Sequence, residues 1–341
     1  MLFFFSMRIL VHSRRLLPST GLLLASLFIA LSGNSLALAQ DKAGFRMLQD
    51  DFPFQAACIG ANFPSNNVAL KGYAIRVGTN ATVLWDTDTM RMAAGWTGGF
   101  IDTKGVVFDG DHGKHPQMVG DQKFGVGNGP GVGVPGGNFA DSRSEPFGPM
   151  DKSIAEWKGL YVDGMDVVLS YTARGTQVYE QPGSVTHDDQ VGFTRTFRLA
   201  PPASGFLFFK SRKVAEPFVV RLAEVPGGAK ELTQENGQPV LTYTVGDRVT
   251  KLAGTDLPKG VELQADGDRA ILSVAKGARA GDFKITIWSG PKAATSSFAS
   301  LTQGAPKLVD FREGGPKRWP QTVDVAGKLD TSSTPDGAYV T

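Results

Sequence analysis

The feature that most constrains the fold is the interruption of short apolar runs by glycine and proline. The chain of 341 residues contains 42 glycines and 20 prolines. Between them lie apolar runs of about four to eight residues, a length typical of β-strands rather than amphipathic helices. The chain is therefore predicted to be all-β, an antiparallel β-sandwich with few short helices. A large supersandwich is one form that this architecture can take.

Individual elements can be placed from these runs. The pair Asp163-Gly164 between two apolar runs predicts a tight β-hairpin, because both residues tolerate a positive φ. One helix is expected at 151–158, where an acidic first turn precedes Ile154, Ala155 and Trp157. Strands are predicted at 68–77, 81–85, 159–162, 167–172, 176–180, 192–199, 205–209, 218–223, 240–245, 270–274, 283–288 and 308–311.

The N-terminal segment predicts export. Arg8, Arg14 and Arg15 precede the apolar stretch 21–31, which is shorter than a comfortable membrane span. Ala37-Leu38-Ala39 supplies the small residues that signal peptidase requires, so residues 1–39 are expected to be a signal peptide. The mature protein is then periplasmic or secreted and has no membrane segment. A short N-terminal membrane anchor is the alternative.

The charge balance argues against nucleic acid as a partner. The chain has 35 Lys and Arg residues against 33 Asp and Glu, and residues 1–39 hold three of the arginines and no acidic residue. Removal of that segment leaves 32 basic against 33 acidic side chains. The mature chain therefore lacks the basic excess of a nucleic-acid-binding domain.

Cys58 is the only cysteine, so an internal disulfide is excluded. It lies in the run AACIGAN among small apolar residues, and a buried, inert thiol is expected rather than a reactive one. Because the sequence contains no CxxCH motif, the chain is expected to carry no covalently attached haem. A divalent metal is the one cofactor left open.

The segment 124–137, FGVGNGPGVGVPGG, is half glycine and is expected to be a loop. Its formal GxGxxG match does not predict a dinucleotide site, because Pro130, Pro135 and Gly137 forbid the strand and helix that such a site needs. A flexible flap over a neighbouring site is the expectation, with a disordered segment as the alternative.

The acidic residues, glycines and aromatics between 83 and 113 predict a binding or reactive surface. Asp86 and Asp88 alternate across Thr87, so on a strand both would face the same side. Such a pair can divide acid and base roles, bind calcium, or cap the turn before Met90. Arg91 and Trp96 would add an anion contact and a stacking surface.

A second polar group follows in the sequence DGDHGKH. Asp109, Asp111, His112 and His115 combine imidazoles with carboxylates, a ligand set that suits zinc or manganese. The spacing matches no known signature, and the two glycines mark a turn in which polar residues commonly collect. A divalent metal at Asp109, His112 and His115 and a solvated turn are both open.

Tryptophan residues could supply a sugar-stacking surface or fill the core. Trp85 and Trp288 are expected in the core, because they end strands with alternating patterns. Trp96 is flanked by glycines in AGWTGGF and is expected to be partly exposed.

Several sequence blocks resemble a known family. In order over residues 45–320 they are NVALKGYAIRVG, WDTDTMRMAAGWTGGF, VFDGDHG, EWKGLYVDGMDVVLSYTARGTQVYE and FTRTFRLAP. They are similar to an uncharacterised N-terminal domain of large exported bacterial proteins. In those proteins the domain precedes a β-propeller resembling sugar dehydrogenases and a c-type cytochrome domain. The family has no assigned activity, so the resemblance implies no catalytic residues.

The domain organisation follows from the composition together with this resemblance. Residues 40–310 are expected to form the β-sandwich domain, with a sub-boundary near 201 as an alternative. Residues 311–341 are expected to be a linker and the start of a missing following domain, because RWPQTV and GAYVT resemble the entry into the propeller. The implied partners are the propeller and cytochrome domains.

The function expected first is an exported, non-catalytic β-sandwich module of a multidomain redox protein that binds carbohydrate or positions its partner domains. Its ligand-binding candidates are Asp86, Asp88, Arg91, Trp96, Asp109, Asp111 and His112. The alternative is a sugar-active enzyme of mutarotase-like architecture, with His112 or His115 as general acid and Asp86 or Asp109 as general base. A purely structural spacer is the third possibility.

Overall fold

The structure, a computed structural model, describes residues 52–61, 67–102, 116–145, 147–200, 214 and 216–311. Regular structure in this part is almost entirely β-strand, which confirms the all-β prediction. The strands are β1 Phe54–Ala61, β2 Asn67–Arg76, β3 Ala81–Asp86, β4 Arg91–Thr97, β5 Ile101–Asp102, β6 Gln117–Met118, β7 Asp121–Gly125, β8 Val132–Gly133, β9 Ala155–Asp163, β10 Asp166–Ala173, β11 Thr176–His187, β12 Gln190–Ala200, β13 Phe218–Glu224, β14 Ala229–Glu235, β15 Gln238–Val245, β16 Arg248–Thr255, β17 Val261–Asp266, β18 Arg269–Val274 and β19 Gly281–Pro291. A 3₁₀ helix spans Lys292–Ser297, and a single α-helical turn, α1, spans Phe298–Leu301.

The strands form three sheets. A seven-stranded sheet has the order β5-β6-β1-β2-β3-β4-β7, an eight-stranded sheet the order β14-β15-β16-β19-β12-β11-β10-β9, and a four-stranded sheet the order β17-β18-β13-β8. Strands β1 and β6 pair in parallel, while the long hairpins pair antiparallel. Because β12 pairs with β19, strands from before and after residue 201 share one sheet.

One main hydrophobic core is built from side chains of all three sheets. Phe197 of β12 and Phe283 of β19 stack there with ring centroids 5.2 Å apart. Trp85 is fully buried in the same cluster, and Trp288 is buried in a smaller cluster with Phe298 of α1. The predicted core positions of both tryptophans are therefore confirmed.

Most predicted strands are present, and two predicted elements are wrong. Gly164 has φ +60° in the turn between β9 and β10, as the Asp163-Gly164 hairpin requires. The expected helix at 151–158 is instead a short turn followed by β9, whose residues pair with β10. Residues 308–311 form no strand, although Leu308 and Phe311 are buried against Val168. The strand predicted at 205–209 lies outside the described residues.

The glycine-rich segment is not a flap. Its first part ends β7, its middle forms β8, and Val126 and Val132 are buried. Gly131 shows why glycine is needed: a Cβ there would lie 2.2 Å from the carbonyl oxygen of Met90 and 2.5 Å from Cα of Arg91. The segment therefore passes through the interior, where its glycines permit close contact between backbones.

Within the described residues, no helix is long and apolar enough to cross a membrane. The predicted signal peptide at 1–39 lies outside that part of the chain, as does the predicted linker at 311–341 except for residue 311. The domain boundaries therefore stay predictions.

Candidate functional site

Two of the predicted site residues lie at the turn between β3 and β4. Asp86 ends β3, and its Oδ1 accepts a hydrogen bond from the backbone N–H of Asp88 at 3.1 Å. Such a bond two residues along the chain stabilises a turn. Met90 then adopts φ +52° before β4 begins. The two aspartates are therefore not alternating residues of one strand, and of the roles considered, capping of this turn is confirmed.

Arg91 lies at the start of β4, and its guanidinium is surrounded by acceptors. Its Nε lies 3.3 Å from Asp86 Oδ2 and 3.0 Å from the Thr89 hydroxyl. Its Nη1 donates to Asn67 Oδ1 at 2.6 Å, and its Nη2 donates to Asn128 Oδ1 at 3.3 Å. The carbonyl oxygens of residues 126 and 68 accept one bond each, at 2.7 and 3.0 Å. Arg91 therefore holds three parts of the chain together.

The environment of Arg91 is buried. Burial lowers the pKa of Arg91 from its ordinary value, and the nearby Asp86 carboxylate opposes that shift. An arginine remains charged even with a lowered pKa, because its ordinary value is so high. The ion pair with Asp86 is thus a buried one, satisfied by further hydrogen bonds, including 2.8 Å from the Thr89 hydroxyl to Asp86 Oδ2.

A polar hollow of about 330 Å³ opens over this network, and we call it the Asp86 hollow. Its wall contains apolar side chains of β2 as well as charged and amide groups. The lining residues are Val68, Leu70, Asp86, Asp88, Thr89, Arg91, Asn128, Asp141 and Arg143.

Asp88, Asp141 and Arg143 line one side of the Asp86 hollow, and we call this side its mouth because Asp141 is exposed there. Arg143 binds both carboxylate oxygens of Asp141, at 2.9 and 2.7 Å, and its Nη1 donates to the carbonyl oxygen of Gly148 at 2.8 Å. The N–H of Gly148 donates to Asp88 Oδ2 at 2.8 Å. The Asp141 hydrogen bond raises the pKa of Arg143, and the same bond lowers the pKa of Asp141. These bonds attach the segment around Gly148 to the β3–β4 turn.

Trp96 does not line this hollow, and its expected exposure is wrong. The side chain is fully buried in a cluster with Leu84, Ile59 and Ile101. Its indole N–H donates to the carbonyl oxygen of Phe100 at 3.0 Å. The flanking glycines bring the backbone close to neighbouring groups instead of exposing the ring, since a Cβ at Gly95 would lie 2.1 Å from the Phe124 ring.

The remaining predicted ligands are Asp109, Asp111, His112 and His115, and all four lie outside the described residues. In the part of the chain that the structure covers, no three His, Cys, Asp or Glu side chains are placed to hold a metal ion. The metal site therefore stays a prediction about 109–115.

Cys58 is a free cysteine and is half-buried, so it is less buried than expected. It lies on β1 at an irregularity in the pairing with β2. Burial raises the pKa of the thiol, the charge of Asp86 raises it further, and Lys71 opposes both. A raised pKa reduces the thiolate fraction at neutral pH, which agrees with an inert thiol.

A buried polar triad was not predicted. Glu180 of β11 accepts from the Tyr171 hydroxyl at 2.8 Å and from Arg195 Nε and Nη2 at 2.6 and 3.1 Å. All three side chains are fully buried, and burial, followed by the charge of Glu180, raises the pKa of Tyr171 well above its ordinary value. The only sequence signal was a charged residue among the apolar residues of β11 and of β12. The triad has no access to solvent and cross-links β10, β11 and β12.

Comparison with known proteins gives one family match. Residues 83–180 match the model of DUF6797, described as a domain of unknown function. The matched range contains the Asp86 hollow's turn and the strands up to the start of β11. It agrees with the expected uncharacterised domain, while the propeller and cytochrome neighbours stay predictions. No curated protein matches this chain.

Among solved structures, the chain is distantly similar to a bacterial glucoamylase that was crystallised in complex with acarbose. The identity is 12%, the TM-score is 0.32, and the alignment covers 76% of this chain. The chain spans 37% of the length of that protein. No conclusion about activity follows from a similarity of this size.

Proposed function

We propose that this chain is an exported, non-catalytic β-sandwich module that binds a carbohydrate in the Asp86 hollow. The proposal depends on a contrast between two groups of residues in the hollow. The inner layer is Asp86, Thr89 and Arg91, and the outer layer is Asp88, Asp141 and Arg143. The inner layer is a charged network satisfied by the chain's own hydrogen bonds. The outer layer, at the mouth, keeps hydrogen-bonding capacity.

The mouth has donors and acceptors side by side. Arg143 has five N–H donors, and three of them are used by Asp141 and Gly148. Among the described residues, Asp88 Oδ1 has no hydrogen-bond partner, and about a third of the Asp141 side chain is exposed. Adjacent donors and acceptors beside the apolar Val68 and Leu70 suit the vicinal hydroxyls and C–H face of a sugar.

The inner layer supports binding rather than catalysis. A general acid or base must exchange a proton with the substrate and needs an accessible oxygen. Asp86 is buried, its Oδ1 accepts from a backbone N–H, and its Oδ2 accepts from Thr89 and Arg91. These bonds favour a fixed carboxylate that shapes the hollow.

The wider context of the proposal comes from sequence. The signal peptide predicts export, and the family resemblance places such a domain ahead of a propeller and a cytochrome domain. In that setting the module would hold a polysaccharide or oligosaccharide close to a redox enzyme.

Binding can be tested with the purified protein on a panel of immobilised polysaccharides, followed by calorimetry with oligosaccharides of the one retained. We expect Arg143→Met to weaken the affinity at least tenfold, because two donors at the mouth are lost with the charge. The matched control is Arg279→Met, which replaces an exposed arginine outside the hollow; this variant should bind the ligand as the native chain does. Unchanged binding in Arg143→Met would refute this site.

The enzyme alternative is tested on the same ligands by following product release and anomer interconversion. The mutarotase-like enzyme would be supported instead if the native chain turns over a sugar and His112→Ala loses that rate by orders of magnitude while it still binds the sugar. Binding without turnover supports a module.

A further inference from the structure

A second cleft lies away from the Asp86 hollow, between β7 of the seven-stranded sheet and the β16–β19 pair of the eight-stranded sheet. Its volume is about 360 Å³, within the range of small-molecule sites. We call it the Gln122 cleft, after a residue of β7 that lines it.

Gln122 has a buried carboxamide without a partner. Neither its Oε1 nor its Nε2 finds a hydrogen-bond partner among the described residues, although both atoms are buried. It lies on β7 opposite Trp96, where the pairing with β4 shifts register after Gly95. Such a bulge re-aims a side chain, and leaving a buried amide unpaired is unfavourable by about 1–3 kcal/mol. The unpaired carboxamide of Gln122 is therefore a candidate group for hydrogen-bonding a ligand.

The same cleft is lined by Thr250, Ser289 and Arg248, which also keep unused hydrogen-bond donors. Thr250 and Ser289 share one hydrogen bond of 3.0 Å, so one of their two hydroxyl hydrogens is left over. Arg248 Nε donates to the Ser289 oxygen at 3.2 Å, which leaves both of its Nη groups. In the described part of the chain Arg248 has no carboxylate at ion-pair distance.

The other charges of the cleft are already neutralised. Glu224 forms an ion pair with Arg221 and accepts from the N–H of Gly127 at 2.9 Å. Lys123 is paired with Asp121, and that hydrogen bond lowers the pKa of Asp121. Arg248 also acts on Asp121 electrostatically but forms no ion pair with it, so it adds a net positive charge and the cleft favours an anion.

The rest of the wall is apolar. Phe124, Val225, Pro226 and Val245 lie between the polar groups, and 44% of Val245 is exposed. A ligand that fits must offer a carboxylate to the Nη groups of Arg248, adjacent hydroxyls to the Gln122 amide, and an apolar face to this wall. A sugar ring with a carboxylate combines all three.

We propose that the Gln122 cleft binds a uronic acid residue, with its carboxylate on Arg248 and its ring hydroxyls on Gln122. The site is separate from the Asp86 hollow and does not depend on the function proposed for it.

The test is calorimetry of the purified protein with D-glucuronate and D-galacturonate, with D-glucose as the neutral comparison. We expect a uronate to bind at least tenfold more tightly than glucose, and its affinity to fall at least tenfold in Arg248→Met. The control Arg279→Met removes an exposed arginine elsewhere and should leave the affinity unchanged. Equal binding of glucuronate, galacturonate and glucose, or an unchanged affinity in Arg248→Met, would overturn the proposal.

Gln122→Leu separates binding from folding. Removing the unpaired amide should raise the urea midpoint, because a buried polar group without a partner is replaced by an apolar one. The same variant should lose uronate binding at least tenfold. A variant that is more stable and binds as before would show that Gln122 is not a ligand group, and would also overturn the proposal. Loss of uronate binding in Gln122→Leu with intact polysaccharide binding by the Asp86 hollow distinguishes the two sites.

Discussion

At the scale of single residues, arginines organise the interior of this protein. Arg91 joins the β3–β4 turn to β2 and to the glycine-rich segment, and Arg195 joins Glu180 to the carbonyl oxygen of residue 221 at 3.0 Å. The planar guanidinium can serve several acceptors in fixed directions, which an ammonium group cannot. Each arginine therefore acts as a cross-link between segments that are distant in sequence.

Replacement of Arg91 should be strongly destabilising. Arg91→Met removes the Arg91 donor from the buried Asp86 carboxylate, from Asn67 and from two backbone carbonyls. Removing one partner of a buried ion pair costs about 3–5 kcal/mol. The free energy of unfolding from urea titration should fall by that amount, and Arg91→Lys should recover only part of it. A loss below about 1 kcal/mol would contradict the cross-link role.

Tyr243 makes stability depend on alkaline pH. Its hydroxyl donates to the carbonyl oxygen of Arg269 at 2.8 Å, and burial, followed by Asp268 and Asp266, raises its pKa to about 12. In the unfolded chain the pKa is about 10, so the unfolded state releases its proton first and gains stability as the pH rises. The contribution of Tyr243 to the free energy of unfolding is therefore complete below about pH 10 and is lost between about pH 10 and 12.

The urea midpoint, measured at intervals from pH 9 to 12, should decline over that window. In Tyr243→Phe the decline should be smaller, with a remainder from Tyr171, whose pKa is also raised. Identical declines in the native chain and in Tyr243→Phe would refute the assignment.

At the scale of elements, turns and close backbone contacts decide where strands begin and end. The Gly131 N–H donates to the carbonyl oxygen of Thr89 at 2.7 Å, and the Arg221 N–H donates to the carbonyl oxygen of Gly131 at 2.8 Å. A residue with a side chain cannot occupy this position without moving the β3–β4 turn. The glycine thus links β8, β13 and the floor of the Asp86 hollow.

Gly131→Ala should be destabilising by about 3 kcal/mol, the upper end of the usual range, since the new methyl overlaps backbone atoms. The matched control is Gly281→Ala at the start of β19, where a Cβ meets nothing within 4 Å. Thermal unfolding of both variants measures the difference. Equal and small shifts would show that the contact at Gly131 relaxes easily.

Local signals predicted much of the secondary structure but not the site. The Asp163-Gly164 turn and the alternating apolar patterns act within a few residues, so the hairpins could be foreseen. The acidic start at Asp151 does form a turn, with Asp151 Oδ1 accepting from the N–H of Ser153 at 2.8 Å. Pairing with β10 then overrides the helix. The partners of Arg91 could not be foreseen, because Asn67 and Asn128 lie far from it in sequence.

At the scale of the whole molecule, each sheet contains neighbouring strands that are not consecutive in sequence. The eight-stranded sheet has β12 and β19 as neighbours at its centre, with Phe193 opposite Ile287. The core cluster likewise contains residues from β2 to β19. The region matched by the family model is therefore one part of a larger packed unit.

A fragment limited to 83–180 should not fold. It contains most of β3 without its partner β2, and only the start of β11 without β12. We expect no cooperative urea transition by circular dichroism, whereas a fragment covering 52–311 should show one. A cooperative transition in the short fragment would mean that the matched region is an independent domain.

The pairing of β12 with β19 also determines when the eight-stranded sheet can form during synthesis of the chain. A ribosome makes β12 long before β19, and the centre of the eight-stranded sheet cannot close until residue 291 has been synthesised. Contacts between such distant segments form slowly, so β12 and β16 remain without their shared partner β19 until late in synthesis. If the predicted signal peptide directs export of the unfolded chain, this delay would help to keep the chain unfolded until it has crossed the membrane.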